Sequence, residues 1–400
     1  MVQILEISNQ KDLLKALRQV KVDPYGIKIM APKARHYLIK LNAVSNIAAN
    51  ILKQEMLSLG GDVAVARGAL TGKVNSTDCL VMASYAQLNR LKEKLAKQPF
   101  GLSTLACELR STLNNYERND FKLDLGARRF NLQKHSVIMG IMNLTPDSFS
   151  GDGLYQSSES AIIEFAQKLV RDGADILDIG AESSRPGAKS ISLKEELARL
   201  IPVVKLLRKK VKVPLSIDTY KPQVARPALD NGADMINDIS GLRDPKMAKL
   251  VSSYKAAVVI MHMQGNPRSM QKNPRYTDVM GDIAAYLGQA VKAALDRGVA
   301  KDKIIIDPGI GFGKTPEHNF QILKRLKELK ALGMPLLVGP SRKSFIGKIL
   351  NTEAQERVPG TISACLLAVQ NGANLLRVHD VSQVKQAVKV WETLTKYDVN

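Results

Sequence analysis

Eight short apolar runs follow one another between residue 136 and the end of the chain, each separated from the next by a loop and a longer amphipathic stretch. The runs show no alternation of apolar and polar positions, as expected for strands buried on both faces of a parallel sheet. The intervening stretches then serve as crossover helices. The runs are 137–144, 174–179, 214–217, 233–239, 256–261, 303–306, 334–338 and 374–378.

Helical spacing of apolar residues marks five of the connecting segments. Glycine recurs after a helix and before a strand, at the position of a left-handed helix cap, in 171–175, 230–234 and 370–374. Eight strand–helix units over about 250 residues predict a closed (β/α)8 TIM barrel, and an open doubly wound sheet is the alternative. The predicted helices are 163–171, 193–209, 280–296, 318–332 and 361–370.

The first 125 residues have a different pattern and predict a small α/β domain ahead of the barrel. We divide the chain into residues 1–125, of unknown role, and the barrel domain 126–400. The polar segment 114–129 is interpreted as a linker or a peripheral segment. The predicted strands of the first domain are 3–7, 27–30, 62–66 and 79–82, and its predicted helices are 11–20, 38–59 and 85–97.

Composition narrows the class of protein. With 45% hydrophobic residues the chain can form cores, and its longest apolar runs are far shorter than the roughly 20 residues of a membrane span. The start of the chain lacks the features of a signal peptide, so the cytoplasm is expected. Three distant cysteines predict neither disulfides nor a metal site. The net charge of +20 favours anionic partners, but 5% aromatic residues argue against nucleic acid.

Polar side chains close every apolar run, where a barrel places its catalytic loops. Several of them have a structural alternative: Asp178, Thr219, Asp238 and Asp380 could each cap a helix. His262 could be a core histidine. The segment Gly309-Ile-Gly-Phe-Gly-Lys-Thr315 resembles a phosphate loop but has Pro308 at the first glycine of the Walker pattern, so it is a weak nucleotide signal.

Two chemistries are combined at these strand ends. Ser341-Arg-Lys-Ser344 and Arg377-Val-His379 supply cations after the last two strands, where barrels often hold phosphate. Asp218, Asn237 and Asp307, with Lys343, form an acceptor-rich set suited to a planar heterocycle with several N–H donors, such as a pterin or a guanine edge. No Ser-His-Asp, Cys-His or His-Glu-x-x-His arrangement appears, so nucleophilic catalysis by the enzyme is not indicated.

At this point the motifs themselves resemble those of a known family. Gly140-Ile-Met-Asn-Leu-Thr-Pro-Asp-Ser-Phe-Ser150 and Asp178-Ile-Gly-Ala-Glu-Ser-Ser-Arg-Pro-Gly-Ala188 are similar to the two characteristic stretches of dihydropteroate synthases. The motifs beginning at Ser216, Asn237, Asp307, Ser341 and Arg377 follow in the family's order. The resemblance implies a transferase of folate biosynthesis, which condenses 6-hydroxymethyl-7,8-dihydropterin diphosphate with 4-aminobenzoate and releases diphosphate with the help of Mg2+.

The resemblance also assigns roles to residues. Asp218, Asn237, Asp307 and Lys343 would hold the pterin; Asn143 would bind Mg2+ on the diphosphate, and Arg377 and His379 would hold the diphosphate oxygens. The 4-aminobenzoate site would be formed by Phe149, Ser184, Arg185, Pro186, Phe312, Lys343 and Ser344. Within this set the resemblance implies that Lys343, Arg377, Asp307, Phe149 and Arg185 are the catalytic residues, acting in a dissociative mechanism. A homodimer is also expected.

The sequence departs from the family pattern at Ala181 and Ser184, which stand where glycine and threonine are usual, and in Ser150-Gly-Asp-Gly153. Two other functions are considered. A pterin-dependent methyltransferase would share the pterin acceptors but has no need of the two loops or of Arg377 and His379. A catalytically silent pterin binder would have no reason to keep both sets.

Overall fold

The computed structural model describes residues 2–5, 7, 10–126, 128–145, 154, 157–183, 187–188 and 190–396, with the backbone alone at residue 396. The chain divides into two compact units, Met1–Asn114 and Asn115–Asn400. No helix in these ranges is long and apolar enough to cross a membrane.

The first unit is a three-stranded antiparallel sheet, in the order β1-β3-β2, with helices packed on one face. Its core contains Leu52 and Met56 of α3, Val81 of β3, Leu91 of α5 and Leu109 of α6. The elements are α1 (Gln10–Gln19), α2 (Pro24–Met30), β1 (His36–Ser45), α3 (Asn46–Leu57), β2 (Asp62–Val65), α4 (Arg67–Leu70), β3 (Ser76–Ser84), α5 (Tyr85–Leu95) and α6 (Leu102–Glu117), the last extending past the division.

Three predictions for this region were wrong. The predicted helix 38–59 is a strand up to Ser45, where the Ser45 side chain caps α3. Burial alternates along β1, which is a period of two and not of 3.6. The predicted strand 27–30 lies in α2, because Asp23 and Pro24 begin a helix there. The described residues of 3–7 form no strand, and α6 was not predicted.

The second unit begins with an antiparallel hairpin of β4 (Lys122–Leu125) and β5 (Arg128–Asn131), in the segment that we interpreted as a linker. Its side chains Phe121, Leu123, Leu125 and Leu132 join one core with residues from the first half of the barrel strands, including Met139 and Ile305. The hairpin therefore closes the amino-terminal end of the barrel.

The barrel prediction is confirmed. Eight parallel strands occur in the order β11-β10-β9-β8-β7-β6-β13-β12, and a parallel bridge between Ile306 and Leu336 joins the two ends. The strands are β6 (Val137–Asn143), β7 (Ile176–Gly180), β8 (Leu215–Asp218), β9 (Met235–Asp238), β10 (Ala257–Met261), β11 (Ile304–Asp307), β12 (Leu337–Val338) and β13 (Leu375–Val378).

Helices cover the outside of these strands. The five predicted helices are present, and α9, α10, α13 and α15 are additional. The helices are α7 (Glu159–Arg171), α8 (Leu193–Lys210), α9 (Pro222–Asp230), α10 (Pro245–Tyr254), α11 (Val279–Asp296), α12 (Pro316–Arg325) followed by a 3-10 segment (Leu326–Leu332), α13 (Ser344–Leu350), α14 (Val358–Gln370) and α15 (Val381–Lys396).

The barrel interior has two layers of different chemistry. The lower layer is apolar and contains Met139, Ile176, Met235, Val259 and Leu375 with the hairpin side chains. Because side chains alternate along a strand, the next inward positions, one step toward the carboxyl ends, form the upper layer. Five residues at this level are polar, namely Asp178, Asp218, Asn237, Asp307 and Arg377, whereas β6 and β10 contribute Ile141 and Met261. The apolar layer thus supports a polar layer at the catalytic end of the barrel.

Candidate active site

The polar upper layer brings together three of the four residues that the sequence predicted to hold a pterin. Asp218 ends β8, Asn237 lies beside it in β9, and Asp307 ends β11. Asn237 and Asp307 are buried, and Arg377 reaches the same layer from β13. Four strands, β8, β9, β11 and β13, therefore contribute to one polar surface.

Arg377 is the centre of this layer. Its Nε donates to Asp178 Oδ2 at 2.6 Å, and its Nη2 donates to Asp218 Oδ2 at 2.8 Å. Asn237 Nδ2 also donates to Asp178 Oδ2, at 3.2 Å. Asp178 is fully buried, so it is a cross-barrel partner and not a helix cap. Its Oδ1 has no hydrogen-bond partner within the described part of the chain, and neither has the buried Ser216 Oγ.

Burial controls the charge of the two other carboxyl groups. Burial raises the pKa of Asp218 to about 7, although Arg377 acts in the opposite direction. Burial likewise raises the pKa of Asp307 to about 6, against the Gly309 N–H, which donates to its Oδ1 at 2.6 Å, and the charge of Lys343. Both groups titrate near neutral pH, and a ligand with N–H donors would stabilise their ionised forms.

Lys343 and Phe312 meet at the rim of this layer. Lys343 Nζ lies 4.2 Å from the centroid of the Phe312 ring, a cation–π contact, and Phe312 is buried. Lys343 is the residue before α13, and the exposed Ser344 begins that helix. The predicted lysine, phenylalanine and serine are therefore grouped at one side of the barrel mouth.

The predicted anion-binding residues lie at the ends of β13 and β6, which are neighbouring strands. His379 Nδ1 is 3.0 Å from Ser341 Oγ, and that oxygen also accepts the His379 backbone N–H at 3.2 Å. Asn143 is the last residue of β6, and its carbonyl accepts the Leu154 N–H. Phe149, Ser184, Arg185 and Pro186 lie outside the described residues.

The remaining strand-end residues have structural roles. Asp238 Oδ1 accepts the Ser240 N–H at 2.7 Å and orders the turn after β9. Asp380 pairs with Arg342, Nε to Oδ2 at 3.0 Å. His262 is buried; burial, with the charge of Lys314, lowers its pKa to about 3, so it is a neutral core histidine.

A cavity of about 240 Å3 opens beside Asp218, between the loops after β7, β8 and β10. Its lining includes Glu182 and Tyr220. Lys221, beside Tyr220, forms ion pairs with Glu182 at 3.0 Å and with the buried Glu196 at 2.6 Å. Thr219 Oγ1 donates to Glu196 Oε1 at 2.8 Å, so Thr219 also belongs to this network. Sequence reasoning missed Lys221 and Glu196, because a lysine just before α9 and a glutamate within α8 give no pattern along the chain.

Metal ligands are few in this site. Within the described ranges no group of three His, Cys, Asp or Glu side chains is arranged to hold a metal ion. An ion bound mainly by the oxygens of a substrate needs few protein ligands, and one amide oxygen such as that of Asn143 fits that chemistry.

Comparison with known proteins agrees with this geometry. The family model described as pterin binding enzyme matches residues 139–379. The dihydropteroate synthase of Synechocystis sp. is 48% identical over 274 residues, which are 68% of this chain and 94% of the relative. A solved structure of Xanthomonas albilineans dihydropteroate synthase with 4-aminobenzoic acid has a TM-score of 0.64 and 42% identity, and the match covers 69% of this chain and 98% of that one.

One relative also matches the first unit. A probable bifunctional folylpolyglutamate synthase/dihydropteroate synthase from Halobacterium salinarum is 39% identical over 389 residues, which are 97% of this chain but 46% of the relative. The chain thus spans about half of that protein. Together with the family match over most of the barrel, these similarities show that the chain belongs to the pterin-binding enzyme family and, within it, to the dihydropteroate synthases.

Proposed function

We propose that this chain condenses 6-hydroxymethyl-7,8-dihydropterin diphosphate with 4-aminobenzoate to give 7,8-dihydropteroate and diphosphate. The observation that carries the proposal is the buried polar layer in which Arg377 pairs with Asp178 and Asp218 beside Asn237. A layer of this kind is costly to bury unless a ligand with complementary donors occupies it.

The pterin ring has the complementary groups. Its ring and exocyclic N–H groups would donate to Asp218 and Asp307, and the Asn237 amide can both donate and accept. Asp178 Oδ1, to which no described residue donates a hydrogen bond, is a further acceptor at the same depth. Lys343 would complete the set from the rim, where its ammonium already lies over Phe312.

The diphosphate would lie toward β13 and β6. The guanidinium of Arg377 and the imidazole of His379 would be the donors for its oxygens, and Asn143 would be a ligand for Mg2+. Mg2+ held by the diphosphate supplies charge neutralisation to the leaving group. In this arrangement Arg377 would lie between the aspartate carboxylates that face the pterin and the leaving group, so it would orient both ends of the substrate.

The 4-aminobenzoate would bind at the rim, against Phe312, Lys343 and Ser344. The related enzyme of Xanthomonas albilineans was solved with 4-aminobenzoic acid. We extend this subsite to the predicted loop residues Phe149, Ser184, Arg185 and Pro186. Lys343 and Arg185 would neutralise the charge of the 4-aminobenzoate carboxylate.

The order of bond changes follows from the groups available. The C–O bond to the diphosphate breaks first, and its electron pair leaves with the diphosphate. The resulting methylene cation is delocalised over the pterin ring. The Asp218 and Asp307 carboxylates stabilise this charge by accepting hydrogen bonds from the N–H groups of the ring. The lone pair of the 4-aminobenzoate amine then forms the C–N bond, and the nitrogen loses a proton to solvent. No nucleophile of the enzyme is needed.

A turnover assay tests the proposal directly. Purified protein is incubated with Mg2+, the dihydropterin diphosphate and 4-aminobenzoate, and dihydropteroate is followed by mass, with Lys343→Ala as the control. We expect product that depends on all components and is nearly absent with the variant. Pterin binding without product would contradict synthase activity and favour a methyltransferase or a silent binder.

We also propose that the enzyme acts in the cytoplasm and as a homodimer. Exposed apolar side chains on the neighbouring helices α13, α14 and α15 support the dimer: Ile349, Leu367, Val390 and Leu394, the last 70% exposed. Light scattering during gel filtration should give twice the 43.9 kDa mass of the chain. Val390→Asp with Leu394→Asp should give the monomer, whereas Leu295→Asp on α11 should not.

A further inference from the structure

A buried lysine lies behind the polar layer and has no role in the function proposed above. Lys314 is 3% exposed and follows the glycine-rich turn after β11. Its Nζ donates to Phe312 O at 2.9 Å, to His262 Nδ1 at 3.0 Å and to His262 O at 3.4 Å. Three acceptors thus face the three N–H bonds of an ammonium group.

The histidine in this set must act as an acceptor. Burial, together with the charge of Lys314, lowers the pKa of His262 to about 3, so the imidazole is neutral at physiological pH. With its proton on Nε2, the neutral ring presents an Nδ1 lone pair to Lys314. The site is therefore built for a cation, although burial lowers the pKa of Lys314 to about 7 against the attraction of Asp307.

Lys314 is one of four side chains that hold the turn 309–313. Asn319 Oδ1 accepts the Gly311 N–H at 2.8 Å, Gln271 Nε2 donates to Gly311 O at 2.8 Å, and Tyr276 OH donates to Gly313 O at 2.7 Å. Lys314 adds the bond to Phe312 O and is the charged donor in this set. The turn is thus fixed at consecutive peptide groups.

This turn connects two parts of the proposed substrate site. It donates the Gly309 N–H to the Asp307 carboxylate, and it carries the Phe312 ring that lies under Lys343. The charge of Lys314 also acts on the Asp307 carboxyl and lowers its pKa. A change at Lys314 would therefore reach both the pterin acceptor and the aromatic wall without touching the substrate.

We propose that Lys314 is a positioning residue, whose buried ammonium fixes the turn 309–313 and keeps the Asp307 carboxylate ionised for the pterin N–H groups. This role rests on the proposed function, since it presumes a pterin at Asp307. Removing the cation raises the pKa of Asp307 further, so less of the carboxylate is ionised at a given pH and binding weakens from the acid side.

The other groups around this pair bear on the same titration. Lys343 lowers the pKa of both Lys314 and Asp307, and Arg377 lowers that of Asp307. Beside His262 lie the rings of Tyr276 and Tyr286, and its pKa is also lowered by Arg243. His318 contacts Tyr276 and has a pKa lowered by burial. The charge of Lys314 lowers the pKa of His262 and of His318, so both pKa values rise when that charge is removed. Lys343, Arg377 and Arg243 are the same in every variant and cancel in the comparison.

The test is the pH dependence of 6-hydroxymethylpterin binding, measured by calorimetry from pH 5 to 9. This probe lacks the diphosphate, so binding needs no Mg2+. Lys314→Met removes both charge and donors, and Lys314→Gln removes the charge but keeps an N–H donor. We expect both variants to move the acid limb upward by about one pH unit, so that binding is about twofold weaker at pH 7 and about tenfold weaker at pH 5. Lys314→Met should weaken binding further than Lys314→Gln, because the turn also loses its donors.

Lys92→Met is the matched control, since Lys92 is a buried lysine of the first unit. It should leave the curve unchanged. Folded Lys314 variants with the wild-type acid limb would overturn the inference, and so would insolubility of both, which would assign Lys314 to folding alone. Failure of the wild-type protein itself to bind the probe would instead contradict the proposed function.

Discussion

At the scale of single residues, Arg377 forms ion pairs with two carboxylates of the site. It is the partner of Asp178, which is fully buried, and of Asp218. Arg377→Ala should lower kcat about 100- to 1000-fold, because the leaving group and the carboxylates of Asp178 and Asp218 lose their cation. Single-turnover rates with Arg377→Lys as the partial replacement would measure this, and near wild-type turnover in Arg377→Ala would contradict the assignment.

The same substitution should also affect stability in a pH-dependent way. Removing one member of a buried ion pair costs about 3 kcal/mol when the other remains charged. Burial raises the pKa of Asp218 to about 7, so at pH 5 this carboxyl group is protonated in the variant and the cost falls. A urea titration at pH 5 and at pH 8 should therefore show a larger loss at the higher pH.

Substitution of Asp307 should lower activity but raise stability, whereas substitution of Arg377 should lower both. Its pKa is raised in the folded protein to about 6, so its ionisation destabilises the native state as the pH rises through that value. Asp307→Asn should be more stable than wild type by about 3 kcal/mol at pH 8 and should lose this advantage near pH 4. It should also lose most turnover. If Asp307→Asn and the wild type were equally stable at both pH values, burial would not disfavour the ionised carboxyl group.

Sequence reasoning succeeded at this scale where a residue follows a strand. Asp218, Asn237, Asp307 and Arg377 were predicted from their place at strand ends and from the family resemblance, and the barrel brings them into one layer. Asp178 was left between two roles, because a carboxylate at a strand end looks the same whether it caps a helix or bonds across the barrel. Only the closure of the sheet decides between them.

At the scale of elements, the turn after β11 depends on its glycines. Gly309 has φ +70°, and a Cβ there would lie 2.0 Å from His262 O, a backbone atom that cannot move away cheaply. Gly309→Ala should cost about 2 kcal/mol or more, through the left-handed backbone and the clash, and should weaken pterin binding. The free energy of unfolding and pterin calorimetry measure the two effects.

Gly372→Ala is the control for that substitution. Its φ is +98°, but the nearest atom to an added Cβ is Lys330 Cδ at 3.1 Å, part of a flexible side chain. The variant should pay the backbone cost and keep its pterin affinity. Similar losses of affinity in both variants would show that the turn after β11 has no special role.

The elements also show where hydrophobic patterns stop being informative. All eight barrel strands were predicted, since each is a continuous apolar run with nothing else that could bury it. Strand β1 was assigned to a helix, because its alternation of exposed and half-buried residues is only partial and the strand runs directly into α3. Helices α9 and α10 are ten residues or fewer and begin with proline, so their periodicity is too short to detect.

At the scale of the whole molecule, the chain joins a barrel that resembles complete enzymes to a unit that most of them lack. The Synechocystis relative is matched over 94% of its length by 68% of this chain. The hairpin β4–β5, although placed in a predicted linker, contributes Leu123 and Leu125 to the barrel interior. Its short polar strands gave no strong signal, yet the barrel needs it to cover its amino-terminal end.

This organisation predicts that residues 115–400 fold and act without the first unit. The cut before Asn115 keeps the bond from its Nδ2 to Ala331 O and the bond from Lys330 to Asn119, as well as the whole hairpin. We expect kcat within about twofold of the full chain and a cooperative unfolding transition, because the apolar and polar layers of the barrel are intact. Residues 133–400, which lack the hairpin, are the contrasting variant: exposure of Met139, Ile176 and Ile305 should make them insoluble. An inactive but folded 115–400 protein would assign the first unit a direct part in the reaction.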